Sequence, residues 1–162
     1  MIKNANIILM SNTNNYAKLL NCYNGYFKDH KGTLYRSVDQ YYIKKKQEFF
    51  EPRNYHSALF IMNNYHSEDL YRYSNVMNNY NDNIWREKRY TIMMQGLELK
   101  FTQNEYLFTR LKNTKDKFLV YCTPNDMTWG NGFCENKSMD SSNWPGENLL
   151  GCALMETRRN IC

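Results

Sequence analysis

An apolar stripe at helical spacing runs from Ile84 to Phe101, and this feature restricts the fold more than any other. Charged residues fall mostly on the other faces of this stretch, and no proline interrupts it. The residues of the stripe are Trp85, Ile92, Met93, Gly96, Leu97 and Phe101. A helix with one apolar face must bury that face against other elements, so the pattern favours a helix-rich globular domain.

The rest of the chain predicts shorter helices and a few short strands. Ser37 has the character of a helix N-cap, Asp39 falls in the first turn, and Pro52 ends the helix that follows. The predicted elements are strands at 6–10 and 118–121, a hairpin-like stretch at 23–36, and helices at 37–50, 57–63, 84–101, after Asn104, and at 147–160. The stretch 67–83 is polar and ambiguous. We therefore predict one α+β domain over residues 1–162, predominantly helical.

Composition excludes disordered and membrane-spanning classes. Hydrophobic residues make up 42% of the 162 residues, which is too much apolar surface for a disordered chain. The longest apolar run, Ile7–Met10, is too short to span a bilayer or to form the core of a signal peptide. We therefore expect a cytoplasmic protein with no membrane partner.

The cysteines and histidines do not have the spacing of a metal site. The five cysteines are odd in number, and no two of them form a Cys-x-x-Cys pair. The three histidines are not placed beside carboxylates at ligand spacing. We therefore expect free thiols in a reducing compartment, and neither a metal nor an organic cofactor.

The net charge is mildly positive, and the run Lys44–Lys46 is the densest group of cations. With a formal charge of +5, the chain has no strong electrostatic bias toward one class of partner. The run fits two interpretations, a solvated helix face or a patch that meets a phosphate.

The loop from Asn125 to Gly132 is a candidate ligand site. It follows a predicted strand and combines an aspartate, a tryptophan and two glycines. Glycine permits close backbone approach to a ligand, and tryptophan offers a flat face for a base or sugar. The alternative is a glycine turn in which the Trp129 side chain packs into the hydrophobic core.

Asp39 and Lys46 form a second candidate pair. They are seven residues apart, so two helical turns place them on the same helix face. An acid and a lysine on one face can bracket a ribose phosphate. The alternative for Asp39 is an ordinary first-turn helix acid, and Trp85 is a core residue by its periodicity.

These segments, taken in order, resemble the NADAR superfamily, and within it the YbiA-like N-glycosidases. The family pattern Asn-Asp-x-x-Trp-Gly-x-Gly is intact at 125–132, and Gly-x-Asn-x-Leu-Gly-x-x-Leu-Met-x-x-Arg is intact at 146–158. Weaker matches lie at 20–22, 38–46, 85–104 and 111–114. The resemblance covers nearly the whole chain.

The first helix departs from the family pattern Ser-Glu-His-Tyr-x-Gln-Ala-x-Lys. Asp39 stands where the family has glutamate, Gln40 where it has histidine, and Ile43 where it has glutamine. Asp39 is one methylene shorter than the family residue.

The resemblance implies a small, mostly helical α+β fold and hydrolysis of N-glycosidic bonds. For YbiA-like members the implied substrates are ribosylamino-pyrimidine 5′-phosphates, which are early intermediates of riboflavin synthesis. Cleavage releases ribose 5-phosphate and removes reactive metabolites. The expected partner is therefore a small phosphorylated ribosyl compound.

Cleavage of such a bond requires groups that stabilise positive charge, deliver a proton, hold a base and bind a phosphate. The predicted catalytic residues are Asp39, Lys46 and Asp126, with Lys46 as the candidate for a Schiff base with the sugar. The predicted substrate-binding residues are Asn21, Trp85, Lys100, Trp129, Gly130, Asn148 and Arg158. A single cavity lined by Asp39, Lys46, Trp85, Asp126, Trp129 and Asn148 is expected.

Two alternatives stay open. The first is an ADP-ribosyl hydrolase that removes ADP-ribose from guanine in nucleic acid, which makes nucleic acid the less favoured partner. The second is a non-catalytic module that binds a nucleotide of the NAD or ADP-ribose type.

Overall fold

Residues 6–138 and 143–162 are described by a computed structural model. Its contacts divide the chain into two compact units, one made of residues 1–23 and 105–162 and the other of residues 24–104. Helices predominate and the strands are short, so the predicted α+β, mainly helical class is confirmed.

The unit formed by residues 24–104 is organised around its first helix. Its elements are β2 (Phe27–Lys28), β3 (Leu34–Tyr35), α1 (Val38–Phe50), α2 (Tyr55–Asn63), α3 (Ser67–Ser74) and α4 (Asp82–Thr102). Strands β2 and β3 pair antiparallel, and α1 packs against α2, α3 and α4. Ser37 accepts a hydrogen bond from the backbone N–H of Gln40, which confirms the predicted N-cap.

Helix α1 is polar in sequence yet largely buried, and its polar side chains are hydrogen-bonded inside the unit. The amide of Gln40 donates to the carbonyl oxygens of Ile61 and Met62 at 3.0 and 3.1 Å, and its oxygen accepts from the backbone N–H of Arg36. Burial of these groups is tolerated because each has a partner.

Helix α4 carries the apolar stripe predicted from the sequence and approaches α1 closely. Its N-cap is Asn81, whose side chain accepts a hydrogen bond from the N–H of Ile84. A Cβ on Gly96 would lie 2.9 Å from side-chain atoms of both Val38 and Tyr41, so a glycine is needed where the two helices meet.

The unit formed by residues 1–23 and 105–162 contains a two-stranded parallel sheet. Its elements are β1 (Ile7–Met10), a 3₁₀ turn (Ala17–Leu19), α5 (Glu105–Lys112), β4 (Phe118–Tyr121), a second 3₁₀ turn (Glu135–Lys137) and α6 (Leu149–Ile161). Ile7 pairs with Phe118 and Met10 with Tyr121, and α6 packs on β4.

Several boundaries differ from the sequence prediction. Helix α2 begins at Tyr55, two residues earlier than predicted, because Asn54 caps it by accepting from the N–H of Ser57. Helix α6 begins at Leu149 and not at Glu147. A helix, α3, forms in the stretch that the sequence left ambiguous. The sequence also predicts that the 125–132 loop continues irregularly to Gly146, and residues 139–142 of this continuation lie outside the described residues.

None of the helices within residues 6–138 and 143–162 has both the length and the apolarity needed to span a membrane. All five cysteines are free thiols. Across residues 6–138 and 143–162, no cluster of three or more potential side-chain ligands is arranged to hold a metal ion.

Candidate active site

One face of α1 carries a buried carboxylate, a phenol and an amine at helical spacing. Asp39, Tyr42 and Lys46 are each at most 5% exposed. The phenolic O–H of Tyr71 on α3 donates to Oδ1 of Asp39 at 2.7 Å. This contact fixes the Asp39 side chain and makes its carboxyl group an acceptor in the structure.

Lys46 is held on the same side of α1 by the end of α3. Its Nζ donates to the carbonyl oxygen of Ser74 at 2.9 Å and to the Ser74 hydroxyl at 2.8 Å. The Nζ also lies 4.0 Å from the centre of the Tyr80 ring.

Burial lowers the pKa of Lys46 from its ordinary value to about 8, although Asp82 favours the charged form. Desolvation penalises the ammonium, and Ser74 provides hydrogen-bond acceptors but no negative charge. A substantial fraction of this amine is therefore neutral near pH 8, which is the form that attacks a carbonyl or imine carbon.

Trp85 lies in the core of the same unit. It is 3% exposed, its indole N–H donates to the phenol oxygen of Tyr42 at 2.8 Å, and the two ring centres are 5.2 Å apart. The core position expected from periodicity is confirmed. Its role in binding substrate stays a prediction.

The lysines of the cationic run do not share one environment. Lys44 and Lys45 both pair with Glu48, at 2.8 and 3.0 Å, while Lys46 is buried against α3. The interpretation of the run as one phosphate-facing patch is therefore wrong, because α1 turns successive side chains by about 100°. Lys100, the other predicted cation in this unit, is fully buried on α4 with its Nζ 5.3 Å from the centre of the Phe101 ring.

Asp126 shapes the loop at 125–132 in the other unit. Its Oδ1 accepts the backbone N–H groups of Thr128 and Trp129 at 2.9 and 2.8 Å. A Cβ on Gly130 would lie 2.8 Å from the carbonyl oxygen of Asp126 and would also overlap Thr123. Glycine is therefore required for the tight turn that the carboxylate stabilises.

Backbone hydrogen bonds join this loop to the start of α6. The N–H of Asn148 donates to Gly130 at 2.9 Å, and the N–H of Leu150 donates to Trp129 at 3.0 Å. Trp129 is 4% exposed. The two intact family patterns therefore form one continuous structural element, and Trp129 occupies the buried position that its core interpretation requires.

Asn148 completes the edge of β4 that β1 does not pair with. It lies in the left-handed region with φ 52°, its Oδ1 accepts the N–H of Tyr121 at 2.9 Å, and its Nδ2 donates to the carbonyl oxygen of Leu119 at 3.0 Å. A Cβ on Gly151 would overlap that same oxygen of Leu119. The Asn148 side chain thus makes the two hydrogen bonds that a neighbouring strand would make along this edge.

We expect Asn148→Asp to lower the free energy of unfolding by about 2–3 kcal/mol, because a carboxylate would replace the buried amide donor facing Leu119. Chemical denaturation followed by circular dichroism measures this change. The exposed Asn136→Asp is the matched control and is expected to change stability by less than about 0.5 kcal/mol. Equal midpoints for the two variants would refute the structural role of Asn148.

Arg158 and Asn21 are the remaining predicted residues of this unit. Nη1 of Arg158 donates to the Thr114 hydroxyl at 2.6 Å and to the Lys117 carbonyl oxygen at 3.1 Å, which ties α6 to the turn before β4. Asn21 is 5% exposed and follows the first 3₁₀ turn.

The predicted site residues divide between the two units. Asp39, Lys46, Trp85 and Lys100 belong to residues 24–104, and the other unit contains Asn21, Asp126, Trp129, Gly130, Asn148 and Arg158. Within the first set, Asp39 and Lys46 both bond to α3, so they lie on one face of α1, which is what their spacing predicts. The single cavity lined by both sets stays a prediction.

Sequence reasoning missed the partners that surround Asp39 and Lys46. Tyr71, Ser74 and Tyr80 all come from the stretch 67–83, which has no clear apolar period. The available signal was the density of tyrosine in that stretch, and a tyrosine can both pack and hydrogen-bond.

A family model described as the NADAR domain matches residues 8–162. The chain belongs to the NADAR domain family. This match includes every residue predicted here to take part in catalysis or binding.

Two curated relatives of this NADAR chain match about half of it. A protein of Acanthamoeba polyphaga mimivirus named as an N-glycosidase is 39% identical over 82 residues, covering 49% of this chain and 48% of the relative. Protein irg-1 of Caenorhabditis elegans is 32% identical over 80 residues, covering 48% of this chain and 38% of that protein. The matches thus span less than half the length of either relative.

The fold is similar to that of a solved structure, the NMR structure of the E. coli protein YbiA. The two agree with a TM-score of 0.74 at 21% sequence identity, over 96% of this chain and 88% of the other. This likeness confirms the fold expected from the resemblance to YbiA-like proteins.

Proposed function

We propose that this NADAR chain is an N-glycosidase that hydrolyses ribosylamino-pyrimidine 5′-phosphates, the early intermediates of riboflavin synthesis, and releases ribose 5-phosphate. The observation that carries the proposal is the buried Lys46 amine, with its pKa lowered to about 8, on the α1 face that also carries Asp39. Family membership and the mimivirus relative's name, N-glycosidase, support the same reaction class.

Lys46 acts as a nucleophile in this proposal. A ribosylamine opens to an imine between C1′ and the amino nitrogen, with the ring oxygen becoming the O4′ hydroxyl. The neutral Lys46 amine adds to C1′, the C1′–nitrogen bond to the pyrimidine breaks, and that nitrogen leaves as an amine after gaining a proton. Water then hydrolyses the lysine imine to ribose 5-phosphate and the free lysine.

Asp39 serves this sequence as the anionic group on the Lys46 face. Positive charge develops at C1′ and on the lysine nitrogen when the pyrimidine nitrogen leaves and the lysine imine forms, and a carboxylate on the same helix face stabilises it. Tyr71 keeps the carboxylate in place through its hydrogen bond to Oδ1. The role fits a buried carboxylate that has a hydrogen-bond donor at one oxygen.

A lysine amine in water is a poor nucleophile for this reaction, because almost all of the amine is protonated at neutral pH. The lowered pKa of Lys46 removes this obstacle without a metal or an organic cofactor. Ser74 provides two acceptors that orient the nitrogen. These contacts support a chemical role that an ordinary surface lysine could not perform.

A turnover assay on two substrate classes tests the proposal. We expect release of ribose 5-phosphate from the ribosylamino-pyrimidine phosphates, and a slower or undetectable reaction on ADP-ribosylated guanine in an oligonucleotide. The reverse preference would support the ADP-ribosyl hydrolase. Binding of these ligands without turnover of either would support a non-catalytic nucleotide-binding module.

A further inference from the structure

Three hydrogen-bonding side chains converge on the surface of the unit formed by residues 1–23 and 105–162. Nζ of Lys18, in the first 3₁₀ turn, donates to the phenol oxygen of Tyr106 on α5 at 2.9 Å. Nη1 of Arg110, one helical turn further along α5, donates to the same oxygen at 3.3 Å. Two cations are therefore held within hydrogen-bond distance of one neutral oxygen atom.

The group is preorganised by further contacts. The other Nη of Arg110 donates to the backbone carbonyl oxygen of Asn15, which fixes the plane of the guanidinium. The Lys18 ammonium lies 4.9 Å, and the Arg110 guanidinium 5.7 Å, from the centre of the Tyr106 ring. The cations are thus positioned by the backbone and an aromatic ring.

The positive charge of this group has no carboxylate in contact. Among the described residues, no ion pair involves Lys18 or Arg110. Two cations placed together without an anion repel each other, and the arrangement becomes favourable when an anion bridges them.

The hydrogen-bond geometry leaves donors for such an anion. A phenol oxygen has two acceptor positions, and here Lys18 and Arg110 occupy both, so the Tyr106 O–H is directed elsewhere. Lys18 has two further N–H groups, and Nη1 of Arg110 has one. Tyr106 is 55% exposed, so a ligand can reach the group from solvent.

We propose that Lys18, Tyr106 and Arg110 form a binding site for a phosphate group. A phosphate has three or four oxygen acceptors around one centre, which matches two cationic donors and one phenolic donor that converge from different directions. The proposal goes beyond the glycosidase function and does not depend on it. The phosphate can belong to a free monoester or to a phosphodiester, and the experiment separates these sources.

The test is an NMR titration of the full chain, following backbone amide shifts at 15–19 and 105–112, with inorganic phosphate in one arm and an oligothymidylate in the other. We expect saturable shifts in both segments. Arg110→Gln and Tyr106→Phe are each expected to weaken binding, Arg110→Gln by about tenfold, because a lost charge-assisted hydrogen bond has roughly this effect. Lys112→Gln, which removes an exposed cation from the same helix, is the matched control.

The outcomes are distinguishable. Saturation at lower concentration by the oligothymidylate, per phosphate, identifies a phosphodiester as the ligand, and saturation at lower concentration by inorganic phosphate identifies a terminal phosphate such as that of a monoester. Absence of saturable shifts in the wild-type chain, or equal affinities for the Arg110→Gln, Tyr106→Phe and Lys112→Gln variants, would overturn the proposal. Tyr106→Phe keeps the ring and the Arg110 contact to Asn15, so it remains informative if Arg110→Gln unfolds the helix. Because no turnover is measured, failure here leaves the glycosidase proposal intact.

Discussion

Replacement of Lys46 by glutamine is expected to reduce kcat/KM for ribosylamino-pyrimidine phosphates by at least about 10³-fold, since loss of a covalent nucleophile removes the principal pathway. Glutamine has nearly the length needed to keep a donor on Ser74, so the fold is expected to persist. Circular dichroism and a steady-state assay of ribose 5-phosphate release measure the two effects. Lys46→Arg is expected to be equally inactive, because a guanidinium keeps the charge but does not form an imine.

Lys45→Gln is the matched control for the Lys46 variants. Lys45 is the preceding residue on α1, but its ammonium pairs with Glu48 at 3.0 Å on a different face of the helix. Its replacement is expected to leave kcat/KM within about twofold of wild type, since its ammonium pairs with Glu48 and Asp29 and does not share the Ser74 contacts of Lys46. Equal losses from Lys45→Gln and Lys46→Gln would assign the effect to the charge of the run and not to a nucleophile.

The pH profile follows from the lowered pKa of Lys46. The reactive form is the neutral amine, so kcat/KM is expected to rise with pH and to level off above an apparent pKa of about 8. The same rise of kcat/KM with pH is expected for the Lys45→Gln variant. A profile that is flat between about pH 6 and 9 would exclude a neutral Lys46 amine as the attacking group.

Asp39→Asn is expected to lower kcat by about 10²–10⁴-fold while leaving the fold intact. The amide oxygen can still accept the hydrogen bond from Tyr71, but it cannot stabilise positive charge at the sugar. Thermal unfolding and steady-state kinetics on the same preparation separate structural from catalytic loss. Turnover at the wild-type rate would show that Asp39 is only an acidic residue in the first turn of α1. Asp126 would then be the candidate catalytic carboxylate.

Asp39→Glu is the complementary variant, because glutamate stands at this position in the family pattern that the chain resembles. We expect activity to be retained or raised.

Tyr71→Phe removes the donor to Oδ1 without touching the carboxylate. It is expected to lower kcat by about tenfold with little change in KM, which is the effect of a positioning residue.

Much of the fold was predictable because local signals agreed with tertiary packing. The apolar stripe on α4 and the caps at Ser37 and Asn54 are local features. The stripe and the Ser37 cap predicted α4 and α1 close to their observed positions. Helix α3 was not predictable, because its polar sequence becomes helical through contacts with α1 that lie far away in the chain. The start of α6 differed because Asn148 bonds to β4 and not to its own helix.

For the candidate site, the sequence predicted the shared helix face of Asp39 and Lys46 but not the environment of either side chain. Helical spacing placed Asp39 and Lys46 on one face, yet the lowered pKa of Lys46 depends on burial by Tyr80 and α3. Sequence spacing does not reveal burial of a polar helix. In the other unit, Asp126 and Asn148 were selected from family patterns, and the structure shows hydrogen bonds that stabilise a turn and a strand edge.

Trapping of the lysine imine by reduction tests whether Lys46 is the nucleophile. The full chain is incubated with a ribosylamino-pyrimidine 5′-phosphate, reduced with borohydride, digested and sequenced by mass spectrometry. We expect a reduced ribose 5-phosphate adduct on Lys46, in proportion to lost activity, and none on Lys44 or Lys45. Turnover that proceeds normally with no adduct on Lys46, or an adduct formed equally on all three lysines, would contradict this role of Lys46.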